Sequence, residues 1–276
     1  MESIHIFDEF PEPMSEISGE RKHLKRLRLE TLVFDILKRK YSSILCDFWE
    51  TYKVPKNSDK CVVLIERRIH ENLFFLLRNA GYFARGWSIC IVCSDMNLQF
   101  CKEISGHNKE NIQFLPIFKG NPEPAIGKKE YNGLLQTADF YKQLDAECLL
   151  CMETDTYLRR QIPEDLLEYD YAACPYEWDE TFSGGGITFR KRSAMIRICE
   201  SIAEKNTNQD VYICDGIRKL GYKMPEFMKG ITYFAESCFY EDPVGVHQWW
   251  TFFTKDVEDA ELIFESLCCF VLEDSV

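Results

Sequence analysis

The sequence predicts an α/β fold, Rossmann-like, with a mixed and mostly parallel sheet flanked by helices, and three observations carry that prediction. From Cys61 to Met152, short apolar runs alternate with helix-patterned segments, which is the rhythm of βαβ units. The chain is 46% hydrophobic and 14% aromatic, enough for a sizeable core. The last apolar run, Cys148-Leu-Leu-Cys-Met, leads straight into Glu153-Thr-Asp155. That puts two carboxylates beyond the carboxyl end of a strand, where open α/β sheets bind their ligands.

The elements follow in order. Residues 1–19 are acidic and carry Pro11 and Pro13, so they read as an extended arm. From about Glu20 to Tyr52, Leu29, Leu32, Val33, Ile36, Leu37, Tyr41, Ile44, Leu45 and Phe48 recur at helical spacing. With the arm, this makes residues 1–55 an N-terminal helical extension, distinct from a main domain over residues 56–276. The helix opens with Arg21, Lys22, Lys25, Arg26 and Arg28, a basic face offset by the acidic arm or turned to an anionic partner. After the linker Val54-Pro-Lys-Asn-Ser-Asp, Cys61–Glu66, Ser88–Cys93 and Ile112–Ile117 read as strands. Asn72–Tyr82 and Asn97–Ile104 read as helices between them. A loop at Asn121-Pro-Glu-Pro precedes a helix around Tyr131–Leu144. Past Asp155 the rhythm changes: Asp170–Ala173 and Gly186–Arg190 are strand-like, Ser193–Glu204 and Val211–Leu220 helical, and Val257–Phe270 a solvated helix in an acidic tail.

Charge and cysteine usage exclude several classes. A net charge of −12 argues against binding nucleic acid through bulk electrostatics. No apolar stretch approaches the roughly 20 residues of a membrane helix, so no integral membrane segment is expected. The acidic start lacks the pattern of a signal peptide, which leads to the expectation of a cytoplasmic protein. The 13 cysteines include Cys90-x-x-Cys93 and Cys148-x-x-Cys151. Both pairs lie in strand-like runs, where alternation sends the two thiols to opposite faces, so buried free thiols are expected rather than zinc ligands.

Period-two geometry puts Glu153 and Asp155 on one face of the edge, and two hard oxygen donors there suit Mg²⁺ or Mn²⁺ carrying a diphosphate. Val63-Leu-Ile-Glu-Arg-Arg brings Glu66, Arg67 and Arg68 to the same edge: Glu66 for a base or ribose, an arginine for a phosphate. Ser183-Gly-Gly-Gly-Ile-Thr-Phe-Arg opens a strand with Gly184, Gly185 and Gly186, where backbone can approach a ligand or simply turn. It is neither a Walker loop nor a dinucleotide fingerprint. Asp210, at the start of a helix, is an N-cap or a catalytic carboxylate. His247, between Gly245 and Trp249-Trp250, is a packing residue or a ligand that closes the metal site.

In order and spacing these stretches resemble a small glycosyltransferase-like family with a GT-A fold, described as a domain of unknown function (DUF5672) and found in bacteria and large DNA viruses. The resemblance runs from about Cys61 to Trp250. It includes Leu64-Ile-Glu-Arg-Arg, Trp87-Ser-Ile-Cys-Ile-Val-Cys, Tyr131-Asn-Gly-Leu-Leu, Glu153-Thr-Asp-Thr, Tyr169-Asp-Tyr-Ala-Ala-Cys-Pro-Tyr, Gly184-Gly-Gly-Ile-Thr-Phe-Arg, Gln209-Asp-Val-Tyr and Gly245-Val-His. Where this chain has Glu153 the family usually has Gln. It also tends to have Asn at the position of Gly184 and Glu at that of Gln209.

The resemblance implies transfer of a sugar from a nucleotide-sugar, UDP-linked by preference, to a hydroxyl of a glycan or another acceptor. It assigns a metal to Glu153, Asp155 and His247, and the nucleotide-sugar to Glu66, Arg67, Arg68, Asn132, Glu153 and the glycine run. Asp210 is the first choice of base, with Asp179 and Glu236 in reserve. For a viral protein the compartment would be the host cytoplasm. Three alternatives stay open: a catalytically degenerate GT-A domain that binds a nucleotide-sugar or glycan, an adaptor acting through the basic helix, and a homodimer built through that helix.

Overall fold

The computed structural model describes residues 11–12, 16–120, 122–203, 208–254 and 256–272. Most of the arm expected over residues 1–19, and Asn121 of the expected loop, lie outside these residues. The first element is a single 33-residue helix, α1 (Gly19–Thr51). An alternating series follows: β1 (Lys60–Ile65), α2 (Asn72–Phe83), β2 (Ser88–Ser94), α3 (Leu98–Ser105), β3 (Gln113–Phe118), α4 (Pro124–Leu135), α5 (Ala138–Tyr141) and β4 (Cys148–Met152). The remainder is β5 (Thr156–Leu158), β6 (Tyr171–Tyr176), β7 (Asp179–Lys191), α6 (Arg192–Ser201), α7 (Gln209–Leu220), α8 (Phe227–Tyr233), β8 (Phe234–Ala235), β9 (Gly245–His247) and α9 (Ala260–Leu267).

Six strands form one sheet in the order β3-β2-β1-β4-β7-β6. The first four are parallel, while β7 runs antiparallel to both β4 and β6. From β1 the chain winds outward to β2 and β3, then returns to lay β4 on β1's other side. Strand order therefore reverses between β1 and β4, and a crevice opens beyond their carboxyl ends. The register Leu64↔Met152 places Glu66 and Glu153 on the two sides of that crevice. A small second sheet, β5-β9-β8, pairs Thr156 with His247 and so carries the histidine next to Asp155.

Each central strand is buried on both faces, which explains its continuous apolar run. Val62, Leu64, Ile89, Ile91, Leu150 and Met152 pack on one side with α1 and α2. Val63, Ile65, Val92 and Leu149 pack on the other with α5, α6 and α7. The cysteines obey the same alternation. Cys90 and Cys151 belong to one face, Cys93 and Cys148 to the other, and all 13 are free.

Three boundaries differ from expectation. The helix expected around Tyr131–Leu144 begins at Pro124, whose fixed φ suits a first helical turn. It stops at Leu135, because Thr137 is extended before the short α5. The glycine run does not open a strand but lies inside β7, where pairing with β6 jumps from Thr188 to Gly184 and Gly185 to Ile187 bulge out. Asp210 is not a cap: Asn208 holds that position in extended conformation and Asp210 sits within the first turn of α7.

The apolar face of α1 is buried within the chain. Phe34 meets Phe75, Tyr157 and Trp250 edge-on at centroid distances of 6.1, 6.0 and 6.0 Å, and Tyr41 stacks on Phe270 at 4.1 Å. Its basic start is partly neutralised by Glu12, which pairs with Arg21 at 2.8 Å and accepts a bond from Lys25 Nζ through its carbonyl at 2.9 Å. No helix among the described residues is long and apolar enough to cross a membrane. Since α1 shares the core, Phe34→Ala should cost about 3–4 kcal/mol of global stability. Denaturant unfolding followed by tryptophan fluorescence and by circular dichroism should show one shifted transition. Two separated transitions would mean that residues 1–55 fold as a separate unit.

Candidate functional site

A cavity of about 870 Å³ occupies the crevice beyond β1 and β4. Of the residues singled out from sequence, Glu66, Arg67, Arg68, Asn132, Glu153, Gly185, Gly186, Asp210, Glu236 and His247 line it. Asp155 lies just behind, half-buried against His247 and Arg26. Gly184 sits under Asp210. Asp179 is elsewhere: at the start of β7 its carboxylate accepts bonds from the backbone N–H and hydroxyl of Thr181.

The glycine run is the floor of the site. A Cβ at Gly184 would fall 2.5 Å from Asp210 Cγ and would also strike the Tyr176 hydroxyl. One at Gly185 would fall 2.8 Å from both Glu236 Oε2 and His247 Nδ1, and one at Gly186 would lie 2.7 Å from His247 Cδ2. Gly185 also has φ +101°, a conformation that side chains disfavour. Four segments therefore rest functional groups on one stretch of bare backbone.

On this floor the charges interlock. His247 Nδ1 lies 2.9 Å from Glu236 Oε1 and Nε2 lies 3.5 Å from Asp155 Oδ1. Burial opposes charge on the imidazole, but the two carboxylates outweigh it and push its pKa well above the ordinary value. Burial likewise opposes charge on Asp155, yet the His247 and Arg26 cations hold its pKa below the usual range. The Gln248 side-chain amide donates to Asp155 Oδ2 and its backbone N–H donates to the Asp155 carbonyl at 3.2 Å. Glu153 accepts a 2.6 Å bond from the Tyr131 hydroxyl. Burial first, and the Asp155 charge second, raise it to about 7. Asp210 is raised to about 6, by burial, against the pull of Arg190. Arg190 is a buried cation held by Tyr141, Thr188 and Gln209.

At the basic wall, Glu66 receives Arg68 Nε at 2.9 Å and Nη2 at 2.8 Å, together with the Thr154 hydroxyl at 2.9 Å. Its carboxylate thus orients Arg68 and braces the acid-x-acid loop. Arg67 gives one nitrogen to Glu130 at 2.7 Å, while its Nε and Nη1 are buried without a partner. Asn132 accepts the Gln209 backbone N–H at 2.8 Å and so caps α7 from α4. Opposite stand Tyr176 and Trp178, stacked at 4.8 Å, with Trp178 65% exposed.

A divalent ion fits the pair Asp155 and His247. Asp155 Oδ1 is buried with no hydrogen-bond partner, and a hard carboxylate oxygen suits Mn²⁺ or Mg²⁺, with the imidazole nitrogen a softer donor beside it. Glu153, the third expected ligand, is engaged by Tyr131. Among the described residues no three His, Cys, Asp or Glu side chains form a ready metal site. One or two protein ligands, with water and substrate phosphate, is a common way to hold Mg²⁺.

Sequence reasoning missed Arg26, Tyr131, Tyr176, Trp178 and Gln248 as site residues. Tyr131 and Tyr176 lay in quoted motifs without a role, and Gln248 directly follows His247. Arg26 is legible only as one member of a basic helix face, because Asp155, its partner, lies in another part of the chain.

Residues 120–247 match the model of a family described as Protein of unknown function (DUF5672). That match covers the motifs from Tyr131-Asn to Gly245-Val-His and bears out the resemblance over that stretch. Among curated proteins none matches. Of solved structures, an active-site mutant of LgtC aligns over 75% of this chain and 94% of its own, at 13% identity and TM-score 0.43. A candidate nucleotide-diphospho-sugar transferase from Desulfovibrio desulfuricans G20 aligns over 60% of this chain and 78% of its own, at 10% identity and TM-score 0.37.

The Asp210 environment has a measurable consequence. An acid raised to about 6 in the folded state, against roughly 3.9 unfolded, binds more protons folded than unfolded between those values. Its contribution to stability is therefore lost as pH rises from about 4 to 6. Asp210→Asn removes that loss, so the variant's stability relative to wild type should climb over this window in urea titrations. A flat difference would mean that Asp210 has an ordinary acidity.

Proposed function

We propose that this protein transfers a glycosyl group from a nucleotide-sugar, with UDP as the nucleotide, to a saccharide hydroxyl, using Mn²⁺ or Mg²⁺. The observation that carries the reading is the partnerless buried Asp155 Oδ1 facing His247 at 3.5 Å, beside a cavity with a basic wall. A diphosphate with its counter-ion fits there, at the strand-order reversal where α/β sheets bind nucleotides.

Asp155 and His247 would hold the ion, with Glu153 beside them. When bound, the ion supplies Lewis-acid stabilisation of the charge that develops on the leaving diphosphate. His247 must give up its proton to ligate, which makes loading weaken as pH falls. The two Arg67 nitrogens without a hydrogen-bond partner, Nε and Nη1, offer donors to a phosphate or a base carbonyl, and Arg68, oriented by Glu66, adds a guanidinium. Asp210, above Gly184, takes the proton of the acceptor hydroxyl. A carboxylate near 6 is ionised at neutral pH and still basic enough for that task. Glu236 holds the imidazole in orientation. Exposed Trp178, stacked on half-buried Tyr176, gives a sugar ring an apolar platform next to Asp210.

Titration calorimetry of UDP in the presence of Mn²⁺, repeated with excess chelator, tests the donor site. Wild type should bind only with metal, and Asp155→Ala should lose that binding and lower turnover by orders of magnitude while keeping its melting temperature. Binding of saccharides without any nucleotide would instead identify a degenerate, non-catalytic domain. On the acceptor side, Trp178→Ala should raise the acceptor KM about tenfold, on the scale of one lost aromatic contact, and leave donor hydrolysis unchanged. An unaltered acceptor KM would remove the platform role.

A further inference from the structure

We infer that Arg26 of α1 is a diphosphate-binding residue of the donor site, and that it guards Asp155 until the metal and diphosphate arrive. This rests on the donor site proposed above, and it gives the N-terminal helix a part in that site. Arg26 lines the same cavity as Arg67, Arg68 and His247. Its guanidinium lies 3.8 Å from Asp155 Oδ2, on the carboxylate oxygen opposite the one that faces His247. The residue belongs to none of the segments matched by the family, which span 120–247.

The helix is held firmly enough to aim the side chain. One turn beyond Arg26, Leu29 is fully buried, and Val33 and Phe34 continue the seam. From the same helix, Glu30 accepts a 3.1 Å bond from Asn72 Nδ2, which also reaches the Thr154 carbonyl at 3.4 Å, and Lys38 donates to Asn72 Oδ1 at 2.8 Å. So α1 is tied to Thr154, the residue between the two acids of the motif. The Arg26 side chain itself is 47% exposed and free to swing. A loose ion pair of that kind contributes little to stability, whereas a guanidinium fork on a diphosphate makes strong charge-assisted bonds. Arg26 therefore offsets the Asp155 charge through Oδ2 and leaves Oδ1, the oxygen that faces His247, to the divalent ion. It turns to the phosphate oxygens once a divalent ion has taken over that carboxylate.

The two roles pull affinity in opposite directions, which separates them from a structural effect. Arg26→Ala removes a positive charge from beside Asp155, so Mn²⁺ alone, followed by electron paramagnetic resonance, should bind several-fold more tightly. UDP and inorganic pyrophosphate, titrated calorimetrically at saturating Mn²⁺, should each bind on the order of tenfold more weakly. Equal losses for both would show that Arg26 reads the diphosphate and not the base. Arg26→Lys, which keeps charge without the fork, should fall between. Alanine at an exposed helical position preserves the helix, and a melting curve verifies this. Unchanged affinities, or metal and diphosphate shifting in the same direction, would overturn the inference. If wild type binds Mn²⁺ and UDP and Asp155→Ala does not, such a result refutes the Arg26 role alone. If wild type binds neither, the donor-site reading fails and takes this one with it.

Discussion

Three adjacent positions on β7 carry no side chains, and the carboxyl edge of the sheet is organised around that gap. Asp210 comes from α7, Glu236 from the segment after β8, His247 from β9 and Glu153 from the end of β4. Each occupies space that a Cβ at residues 184–186 would contest. The bulge in the β6–β7 pairing turns this bare backbone towards the cavity and sets Gly185 in its unusual conformation. Crowding carboxylates into one place raises their proton affinity, and the protein answers with three cations at different depths: buried Arg190 behind the floor, His247 within the cluster, and Arg26 at its outer side. A site so balanced has a high affinity for added positive charge and little room for unneutralised negative charge.

The large sheet and the small one divide the work. The large sheet fixes the crevice, because its strand order reverses between β1 and β4 and both strands are packed on both faces. The small sheet has only short strands, yet its β5–β9 pairing is what sets Asp155 and His247 side by side. Arg159, almost wholly buried, supports this arrangement from beneath by donating to the carbonyls of Glu241, Cys269 and Ser266. It thereby ties the approach to β9 to the C-terminal segment. Tyr157 adds a bond from its hydroxyl to the Leu267 carbonyl at 2.9 Å. The site is held from below by groups that never meet a ligand.

Much of this was legible in the sequence. Strands buried on both faces leave continuous apolar runs, so β1, β2 and β4 were found within a residue or two, and alternation assigned the cysteines to the correct faces. Glu66, Arg67 and Arg68 were found at the same edge as Glu153 because strand ends in a parallel sheet point the same way. The glycine run is legible but its place in the strand is not: three residues without side chains have no alternation, so a bulge inside a long strand looks like a turn before a short one. The start of α4 was hidden by prolines, which serve loops and first helical turns alike. β9 is three residues long, too short for any period to register. The ion pair of Arg26 with Asp155, like the bond of Tyr131 to Glu153, exists only through tertiary contact, and no local pattern encodes it.

The pairing of β5 with β9 also bears on the order in which the site forms. Thr156 and His247 pair although they lie far apart in the sequence, and closing so long a loop costs chain entropy that a local element such as α2 never meets. The helix that carries Arg26 rests on local contacts and needs no such closure. The imidazole, in contrast, reaches Asp155 only when the small sheet closes. Until then the acidic loop lacks the cation at the centre of its cluster, so the charges of this site balance at the moment its most distant partners meet.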